Sequence, residues 1–414
     1  MKILQVPHAY PPVLGGVEVQ IQRVSECLVA LGHEVHVLTA DVSSVDAYFR
    51  PMPRVTAPAT EVLNGVHVTR VAYGNQLTKS IQRILAGVPN GVGKGRILGR
   101  TQTFVRKSLT SALEQKIRTW DPDVVLATPH FLPNVEIVVA LREKSNFPLA
   151  FMPLLHEFDP TWPKEKIVRA LAHADAVLTI TQWERERLIN SYAVSPEQVF
   201  VGGAGFDVAK WATAGNRSEP FAVTFLGRKA LKKGIPLLIT AMEKVWAELP
   251  EVRLNLIGAR TADAQAIVEL IMALPADSRS KIHSADNLSE GEKSSILDTT
   301  SILVLPSTIE SFGMVILEAW AHTVPVLTLD LPMFREIVTD GVDGFLVPSD
   351  ANAIANRIIE GAKHRDRLRT MGMAGYHKLV QEFDWMTVTQ RFLVALQAAA
   401  SAHGRPAVSS TRDQ

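Results

Sequence analysis

The strongest constraint on the fold is an alternation, along the whole chain, of short β-branched runs with helical patterns. This alternation is typical of parallel sheets covered by helices, because each parallel connection needs a crossover long enough to hold a helix. The runs form two successive series. The first contains 2–6, 34–39, 66–72, 123–127, 149–152, 176–179 and 199–202, and the second contains 222–227, 253–258, 281–283, 301–305, 325–327 and 345–347.

A polar stretch without periodicity, residues 207–220, separates the two series and reads as a linker. We therefore expect an α/β protein with two Rossmann-like doubly wound domains, residues 1–206 and 207–384, facing a cleft. A last helix at about 385–402 is expected to cross back onto the first domain, followed by a flexible tail at 403–414. Such sheets bind ligands at the carboxyl ends of their strands, so the cleft is the expected site.

Composition excludes several classes of protein. The 43 Lys and Arg residues balance 42 Asp and Glu residues, so no global charge favours nucleic acid as a partner. Cys27 is the single cysteine, which excludes an intrachain disulfide and fits a reducing compartment. Apolar stretches fall short of the roughly 18 residues of a membrane span. We expect a cytoplasmic protein, with peripheral binding to the inner face of a membrane left open.

Two glutamates with seven residues between them, Glu310 and Glu318, follow the apolar run at 301–305. The pattern predicts a helix from Gly313 to Ala321, so Glu310 precedes the helix and Glu318 lies within it. Backbone N–H groups at a helix N-terminus attract an anion such as a diphosphate, and carboxylates accept hydrogen bonds from sugar hydroxyls. Taken alone, the pair also fits a solvated loop residue and an ordinary helix surface charge.

A second candidate for phosphate binding opens the second domain. A strand ends at Gly227 and Arg228, and Lys233 and Gly234 follow just before a helix. A guanidinium and an ammonium at one point suit a diphosphate that gains charge as it leaves. The alternative is a solvated surface cluster of Lys229, Lys232 and Lys233.

Two glycines, Gly15 and Gly16, lie between the first strand and the first helix. They permit close approach of a ligand to the backbone at the helix N-terminus, although a simple turn explains them equally well. Other glycine-rich segments fit ligand sites less well. Residues 91–96 lack the spacing of a phosphate loop, and 202–205 leads into the linker, so a dinucleotide site there is not expected.

Together these segments resemble the retaining glycosyltransferases of family 4, also called glycosyltransferase group 1, which have the two-domain GT-B fold. The resemblance covers nearly the whole chain. It is strongest in the second domain, where the family's two glutamates separated by seven residues and its Gly-Arg, four residues, Lys-Gly pattern both occur. The matching segments are 15–16, 174–188, 205–207, 227–234, 310–318, 335–338 and 340–347.

The resemblance implies a role for each residue. Arg228 and Lys233 would hold the donor diphosphate, Glu310 would act at the donor sugar as a catalytic residue, and Glu318 would bind the ribose. The nucleotide base would lie against 256–258 and 286–288, the latter just before a capping box at Ser289 and Glu292. The implied donor-binding residues are Gly15, Gly16, Arg228, Lys233, Ser311, Phe312, Gly313, Met314 and Glu318.

No cofactor is expected beyond the nucleoside diphosphate sugar, which is a substrate, and no metal site is expected. Other nucleotide-sugar transferases hold a divalent ion with an Asp-x-Asp motif, and Asp121 and Asp123 have that spacing. They precede a strand, however, and so are expected at the wrong end of the sheet, in a structural turn. Positive side chains would take the place of the metal.

The sequence departs from the family at a histidine that projects toward the donor sugar. The corresponding position is Thr128, so we assign His130 as the second catalytic candidate. His156, after the next strand, is the alternative, and a hydrogen-bonded loop histidine explains either. Further departures, at 322–323 and 331–332, are expected on the donor-sugar side.

One segment bears on the acceptor, which the first domain binds in this family. Residues 62–113 contain no Asp or Glu, and their apolar residues alternate with cations. Such a segment suits an anionic membrane surface or a phosphorylated acceptor, and a solvated basic surface is the equal alternative. The cations are Arg70, Lys79, Arg83, Lys94, Arg96, Arg100, Arg106 and Lys107.

The predicted function is transfer of a hexose-type sugar to a hydroxyl acceptor, with retention, in cell-envelope, polysaccharide or glycolipid synthesis. The alternatives are a non-catalytic nucleotide-sugar-binding protein of the same fold and a sugar-nucleotide epimerase. Joint presence of Arg228, Lys233, Glu310 and Glu318 favours the transferase.

Overall fold

A computed structural model describes residues 1–13, 15–43, 45–48, 54–73, 92–129, 132–155, 164–208, 220–310 and 312–404, with side chains from Arg106 onward in the helix that begins at Val92. Two sheets of mainly parallel strands, each covered by helices, form the molecule. This confirms the α/β class and the two doubly wound units.

The first sheet has its strands in the order β3-β4-β2-β1-β5-β6-β7-β8. Its strands are β1 (Lys2–Val6), β2 (Glu34–Ala40), β3 (Thr60–Leu63), β4 (Val66–Val71), β5 (Val124–Ala127), β6 (Leu149–Phe151), β7 (Ala176–Thr179) and β8 (Val199–Val201). The helices of this half are α1 (Gly16–Ala30), α2 (Val92–Trp120), α3 (Pro133–Arg142), α4 (Lys164–His173) and α5 (Gln182–Tyr192).

One strand was not expected from the sequence: β3, which pairs antiparallel with β4 at the edge of the sheet. A signal was present. Asn64 and Gly65, which join the two strands, both have positive φ, and Asn-Gly is the preferred two-residue hairpin turn. The short strand has two polar residues followed by two apolar ones, Thr60 to Leu63, so it lacks the period-two alternation that indicates a strand.

The second sheet has the order β11-β10-β9-β12-β13-β14, all parallel. Its strands are β9 (Ala222–Leu226), β10 (Arg253–Ile257), β11 (Ile282–Ala285), β12 (Ile302–Leu305), β13 (Val326–Leu329) and β14 (Gly344–Val347). Its helices are α6 (Ile235–Glu248), α7 (Ala264–Met272), α8 (Ala276–Ser280), α9 (Glu290–Thr299), α10 (Met314–Ala321), α11 (Pro332–Ile337), α12 (Ala351–Lys363) and α13 (Arg365–Glu382). The order reverses between β9 and β12, and such a switch point opens a crevice for ligands.

The chain then returns to the first half as α14 (Trp385–Ser401), which packs on α1 and on β5 to β8. Two glycines permit this close packing. A Cβ atom on Gly202 would lie 2.5 Å from the Phe392 ring, and one on Gly205 would lie 2.1 Å from the Trp385 ring. The glycine run at 202–205 thus serves helix packing.

Asp121 and Asp123 lie at the amino ends of the strands, where the sequence predicted a structural turn. Asp121 has a positive φ of 47°, and an Asp123 carboxylate oxygen accepts the Lys2 backbone N–H at 2.7 Å. The pair joins α2 to the sheet at the end opposite the switch point. Among the described helices, none is both long and apolar enough to cross a membrane.

Candidate active site

The site is built at the carboxyl ends of two neighbouring strands, β9 and β12. The loop after β9 carries Arg228 and Lys233, and the loop after β12 carries Glu310. Gly234 lies where the two loops cross: its φ is 78°, and a Cβ atom there would lie 1.9 Å from the Pro306 carbonyl oxygen. Because Gly234 has no side chain, the two loops can lie in direct contact where they cross.

Lys233 and Glu310 form an ion pair at this crossing, with 11% and 16% of their side chains exposed. The Lys233 ammonium also donates to the Ile309 carbonyl oxygen at 3.1 Å. Sequence analysis assigned the two residues to different parts of a donor, and the structure pairs them with each other. The alternatives, a solvated Lys233 and a solvated Glu310, are wrong, because both side chains are largely buried.

Arg228 and Lys229 are neighbours in sequence but differ in burial. Arg228 is exposed, whereas Lys229 is buried and donates to Ser284 Oγ at 2.8 Å and to an Asp286 carboxylate oxygen at 2.6 Å. Lys229 thus ties the loop that carries Arg228 to the end of β11. The surface-cluster alternative is wrong for Lys229 and fits only Lys232, which is exposed.

Helix α10 begins beside the ion pair. Gly313 is its N-cap residue, with a φ of 87°, and no described side chain caps the helix. Phe312 is buried against Phe383, with ring centroids 5.8 Å apart, and Met314 is partly buried. Ser311 lies outside the described residues. The N-terminus of α10 therefore offers backbone N–H groups next to Lys233 and Glu310, as an anion site requires.

Glu318 lies one helical turn after Met314. Its side chain is 20% exposed, and its nearest described cation is Lys293 on α9, 3.8 Å away. Burial raises the pKa of Glu318; the Lys293 charge opposes this rise and the Glu290 charge adds to it. Helix α9 begins with the predicted capping box, in which Ser289 and Glu292 bond each other's backbone N–H. Glu318 is thus a largely buried acceptor, and the surface-charge alternative is wrong.

The first half contributes the loop between β1 and α1. Gly15 has extended backbone, but a Cβ atom there would lie 2.3 Å from a Glu18 carboxylate oxygen, whereas nothing lies within 4 Å of such an atom on Gly16. Glu18 pairs with buried His8, whose Nε2 is 2.8 Å away. Burial acts to raise the pKa of Glu18, but the hydrogen bond and charge of His8 prevail and lower it. Sequence analysis missed this pair.

The histidine candidates, His130 and His156, lie outside the described residues. Thr128, at the position of the family histidine, is buried and donates to the Met152 carbonyl oxygen at 3.0 Å. Its side chain is thus committed within the sheet. His322 is fully buried and bonds Asp298 at 2.8 Å, so it holds α10 to α9. The expectation that His322 touches the donor-sugar side is wrong, because its ring nitrogens face α9.

Part of the cationic segment is neutralised within the fold. Arg70 is buried, pairs with Glu61 and donates to the Pro58 carbonyl oxygen at 2.9 Å. Arg106 pairs with Glu136 at 2.5 Å. These two cannot present charge to a membrane as the sequence predicted, whereas Lys107 is exposed. The side chains of Lys79, Arg83, Lys94, Arg96 and Arg100 lie outside the described residues.

Comparison with known proteins places both halves in one group. Residues 15–205 match the model of the glycosyl transferase 4-like domain, and residues 210–378 match that of glycosyl transferases group 1. Among the described residues, no group of three or more His, Cys, Asp or Glu side chains is arranged to hold a metal ion.

Two relatives are distant but match over nearly their full length. A glycogen synthase of Mycobacterium tuberculosis is 24% identical, covering 98% of this chain and 97% of its own. A phosphatidyl-myo-inositol mannosyltransferase of Mycolicibacterium smegmatis is 25% identical, covering 97% and 95%. The structure of Anabaena HepE in complex with UDP superimposes with a TM-score of 0.69 at 17% identity, covering 96% and 100%. This last likeness concerns the fold.

Proposed function

Because the chain belongs to the family of group 1 glycosyl transferases, we propose that it transfers a hexose from a nucleoside diphosphate sugar to a hydroxyl acceptor, with retention of anomeric configuration and without a metal. The observation that carries the proposal is the Lys233–Glu310 pair beside the N-terminus of α10. A cation, a carboxylate and a set of backbone N–H groups meet there at the switch point of the second sheet.

Each group has a task in the proposed reaction. As the bond from the anomeric carbon to the diphosphate oxygen breaks, negative charge grows on the diphosphate and positive charge on the sugar. Arg228, Lys233 and the α10 N–H groups stabilise the first, and Glu310 lies where it assists the second. Glu318, one turn along the same helix, accepts hydrogen bonds from the ribose.

Retention follows from attack on the face that the leaving group vacates. The acceptor hydroxyl oxygen bonds to the anomeric carbon, its proton passes to the departing phosphate oxygen, and the diphosphate leaves with the electron pair of the broken bond. This route needs no protein nucleophile, and none is assigned. His130 remains the proposed second catalytic residue, by analogy with the family histidine that lies near the sugar.

For the donor, a uridine diphosphate sugar is the first choice, since HepE, which shares the fold, is described in complex with UDP. For the acceptor, we propose a lipid-linked or polysaccharide hydroxyl in envelope synthesis. The relative named as a phosphatidyl-myo-inositol mannosyltransferase supports a lipid. The enzyme would then work in the cytoplasm, at the inner face of the membrane.

The function is tested by incubating the protein with a panel of nucleoside diphosphate sugars and lipid extract while nucleotide release is measured. We expect release with one donor class and its loss in Glu310→Gln, with Glu248→Gln as control because Glu248 forms a surface pair with Lys363. Binding without release in any condition would favour the non-catalytic alternative. A changed sugar on the recovered nucleotide would favour the epimerase.

The proposed binding to a membrane is tested separately, by sedimentation with anionic vesicles. Arg96→Glu and Arg100→Glu together should abolish sedimentation and leave hydrolysis of the donor unchanged. Arg106 is unsuitable for this purpose because it pairs with Glu136. Unchanged sedimentation of the double variant would remove the segment at 62–113 from the membrane proposal.

A further inference from the structure

Helix α5 of the first half is capped by a residue of the second half. The first N–H groups of a helix have no partner within it and need an acceptor from elsewhere. Thr181, the N-cap residue, accepts the Glu184 N–H at 3.1 Å. The two N–H groups before it, those of Gln182 and Trp183, are bonded by Glu336 on α11.

The Glu336 contact uses both carboxylate oxygens. One accepts the Gln182 N–H at 2.6 Å, and the other accepts the Trp183 N–H. A carboxylate at a helix N-terminus gains from charge-assisted hydrogen bonds and from the positive end of the helix dipole. The contact therefore fixes the orientation of α11 against α5 and not merely their proximity, because two parallel bonds define a direction.

A second carboxylate, that of Glu184, connects α5 to loops of the first sheet. Glu184, in the first turn of α5, is buried, and its oxygens accept the Leu155 N–H at 2.7 Å and the Ile180 N–H at 2.8 Å. Leu155 follows β6, and Ile180 follows β7, both at the carboxyl ends of their strands. Glu184 thus ties the end of α5 that Glu336 caps to two loops on the cleft side of the first sheet.

Neither carboxylate belongs to the donor residues described above. The charged donor residues, Arg228, Lys233, Glu310 and Glu318, all lie in the second half, and the first half would add only the backbone at Gly15 and Gly16. Neither set of donor contacts includes Glu336 or Glu184. Transfer, in contrast, requires the acceptor hydroxyl to be placed against the anomeric carbon. A displacement of about 1 Å at a reacting centre costs roughly 100-fold in rate, so the angle between the halves is decisive.

We propose that Glu336 is a positioning residue: by capping α5 from the second half, it sets the two halves at the spacing that sugar transfer requires, and Glu184 holds the cleft loops to that docked helix. The proposal rests on the proposed function for its kinetic part. Its structural part, the docking of the halves, can be tested with the inert ligand UDP.

The experiment compares Glu336→Ala with Arg335→Ala. Arg335 is the matched control because it lies on the same helix, is exposed and pairs with Asp330 within its own half. Spin labels on Ser145→Cys and Gln265→Cys, in a Cys27→Ala background, report the distance between the halves; both native residues are exposed and lie in different halves.

In Glu336→Ala we expect a broader and longer distance distribution, a turnover lowered by roughly 10- to 100-fold, and a UDP affinity within about twofold of the parent. Glu336→Gln should fall between, because the amide NH2 that replaces one carboxylate oxygen is a donor and cannot accept an N–H group. Arg335→Ala should match the parent in all three measurements.

Unchanged distances in Glu336→Ala would overturn the docking role. Weakened UDP binding with unchanged distances would assign Glu336 to the donor half alone, and would overturn the proposal as well. If the parent shows no turnover with any donor, the proposed function fails, while the distance measurement with UDP still decides whether Glu336 docks the halves.

Discussion

The two halves share an architecture and differ in how their charged groups are used at the switch point. In the second half, Lys233, Lys229 and Glu310 are buried in ion pairs around the crossing loops. In the first half, the loop after β1 holds one compact pair, His8 and Glu18, beside Gly15. Uridine and guanosine diphosphate sugars share a diphosphate and a ribose, so a fixed, local set of charges can serve either donor. Acceptors differ, and the half proposed to bind them has no comparable cluster of charges at its switch point among its described residues.

The largest effect is expected from Glu310→Gln. This variant tests whether the ion pair with Glu310 holds Lys233 away from the phosphate of a ligand. Turnover should fall by roughly 100- to 1,000-fold, because a group that acts on developing charge is lost. Affinity for UDP should rise, since Lys233 no longer has to leave its partner before it meets phosphate. Calorimetry with UDP and a nucleotide-release assay give the two values. Equal affinity in parent and variant would show that the pair does not hold Lys233 back.

The next prediction concerns the buried carboxyl group of Glu184 in the first half. Burial, and then the Glu336 charge, raise the pKa of Glu184 from 4.5 to about 7, against the effect of its backbone hydrogen bonds. The folded protein thus binds this proton more tightly than the unfolded chain. The resulting stability is complete below about pH 4.5 and is lost as the pH rises through about 7, by about 3 kcal/mol at most.

The measurement is urea unfolding of the parent and of Glu184→Gln at about pH 5 and about pH 8. The parent should lose more stability than the variant between these values, because Gln does not titrate. The same dependence in both proteins would assign it to other groups. A matching change in turnover of the parent would show that this buried carboxyl is coupled to the cleft.

Comparison of Lys233→Met with Lys232→Met distinguishes the contribution of the buried cation to UDP binding from that of its exposed neighbour. Loss of Lys233 should weaken UDP binding by about 2 kcal/mol, or roughly thirtyfold, because a charge-assisted hydrogen bond to phosphate is removed. Lys232 is exposed, and its loss should change little. Equal losses in both variants, measured by titration with UDP, would mean that net charge and not position determines affinity.

The smallest effect is expected at Glu318. Its replacement by Gln should weaken UDP binding by about 1.5 kcal/mol, roughly tenfold, since a carboxylate acceptor for ribose hydroxyls is lost. The loss should vanish when UDP is replaced by its 2′,3′-dideoxy analogue. If the dideoxy analogue suffers the same loss, Glu318 acts on the helix or on Lys293 and not on the ribose.

Whether the sequence could predict an interaction depends on how far apart along the chain its partners lie. The strands other than β3, the α10 N-terminus and the capping box at Ser289 are set by neighbours within a few residues, and local patterns located them. The pairing of Lys233 with Glu310 depends on two loops 77 residues apart that cross at Gly234. No local pattern reports such a crossing. The same holds for Glu336 and α5, which are 154 residues apart.

The inward turn of Lys229 was missed for a related reason. Three lysines and an arginine within six residues are typical of a solvated loop, and only the position of Asp286 at the end of β11 explains the burial. In the first half, Glu18 lies two residues after Gly16, but its partner His8 lies ten residues earlier, beyond the strand end.

The return of α14 to the first sheet makes the second half an insertion within the first. Phe206 and Asp384 lie side by side in a β-bridge, and the Phe206 N–H donates to the Phe383 carbonyl oxygen at 2.7 Å. The chain therefore leaves and re-enters at almost the same point. Another domain of the same fold could therefore replace the second half between these two residues without altering the chain ends of the first half, as one domain is grafted into a loop of another.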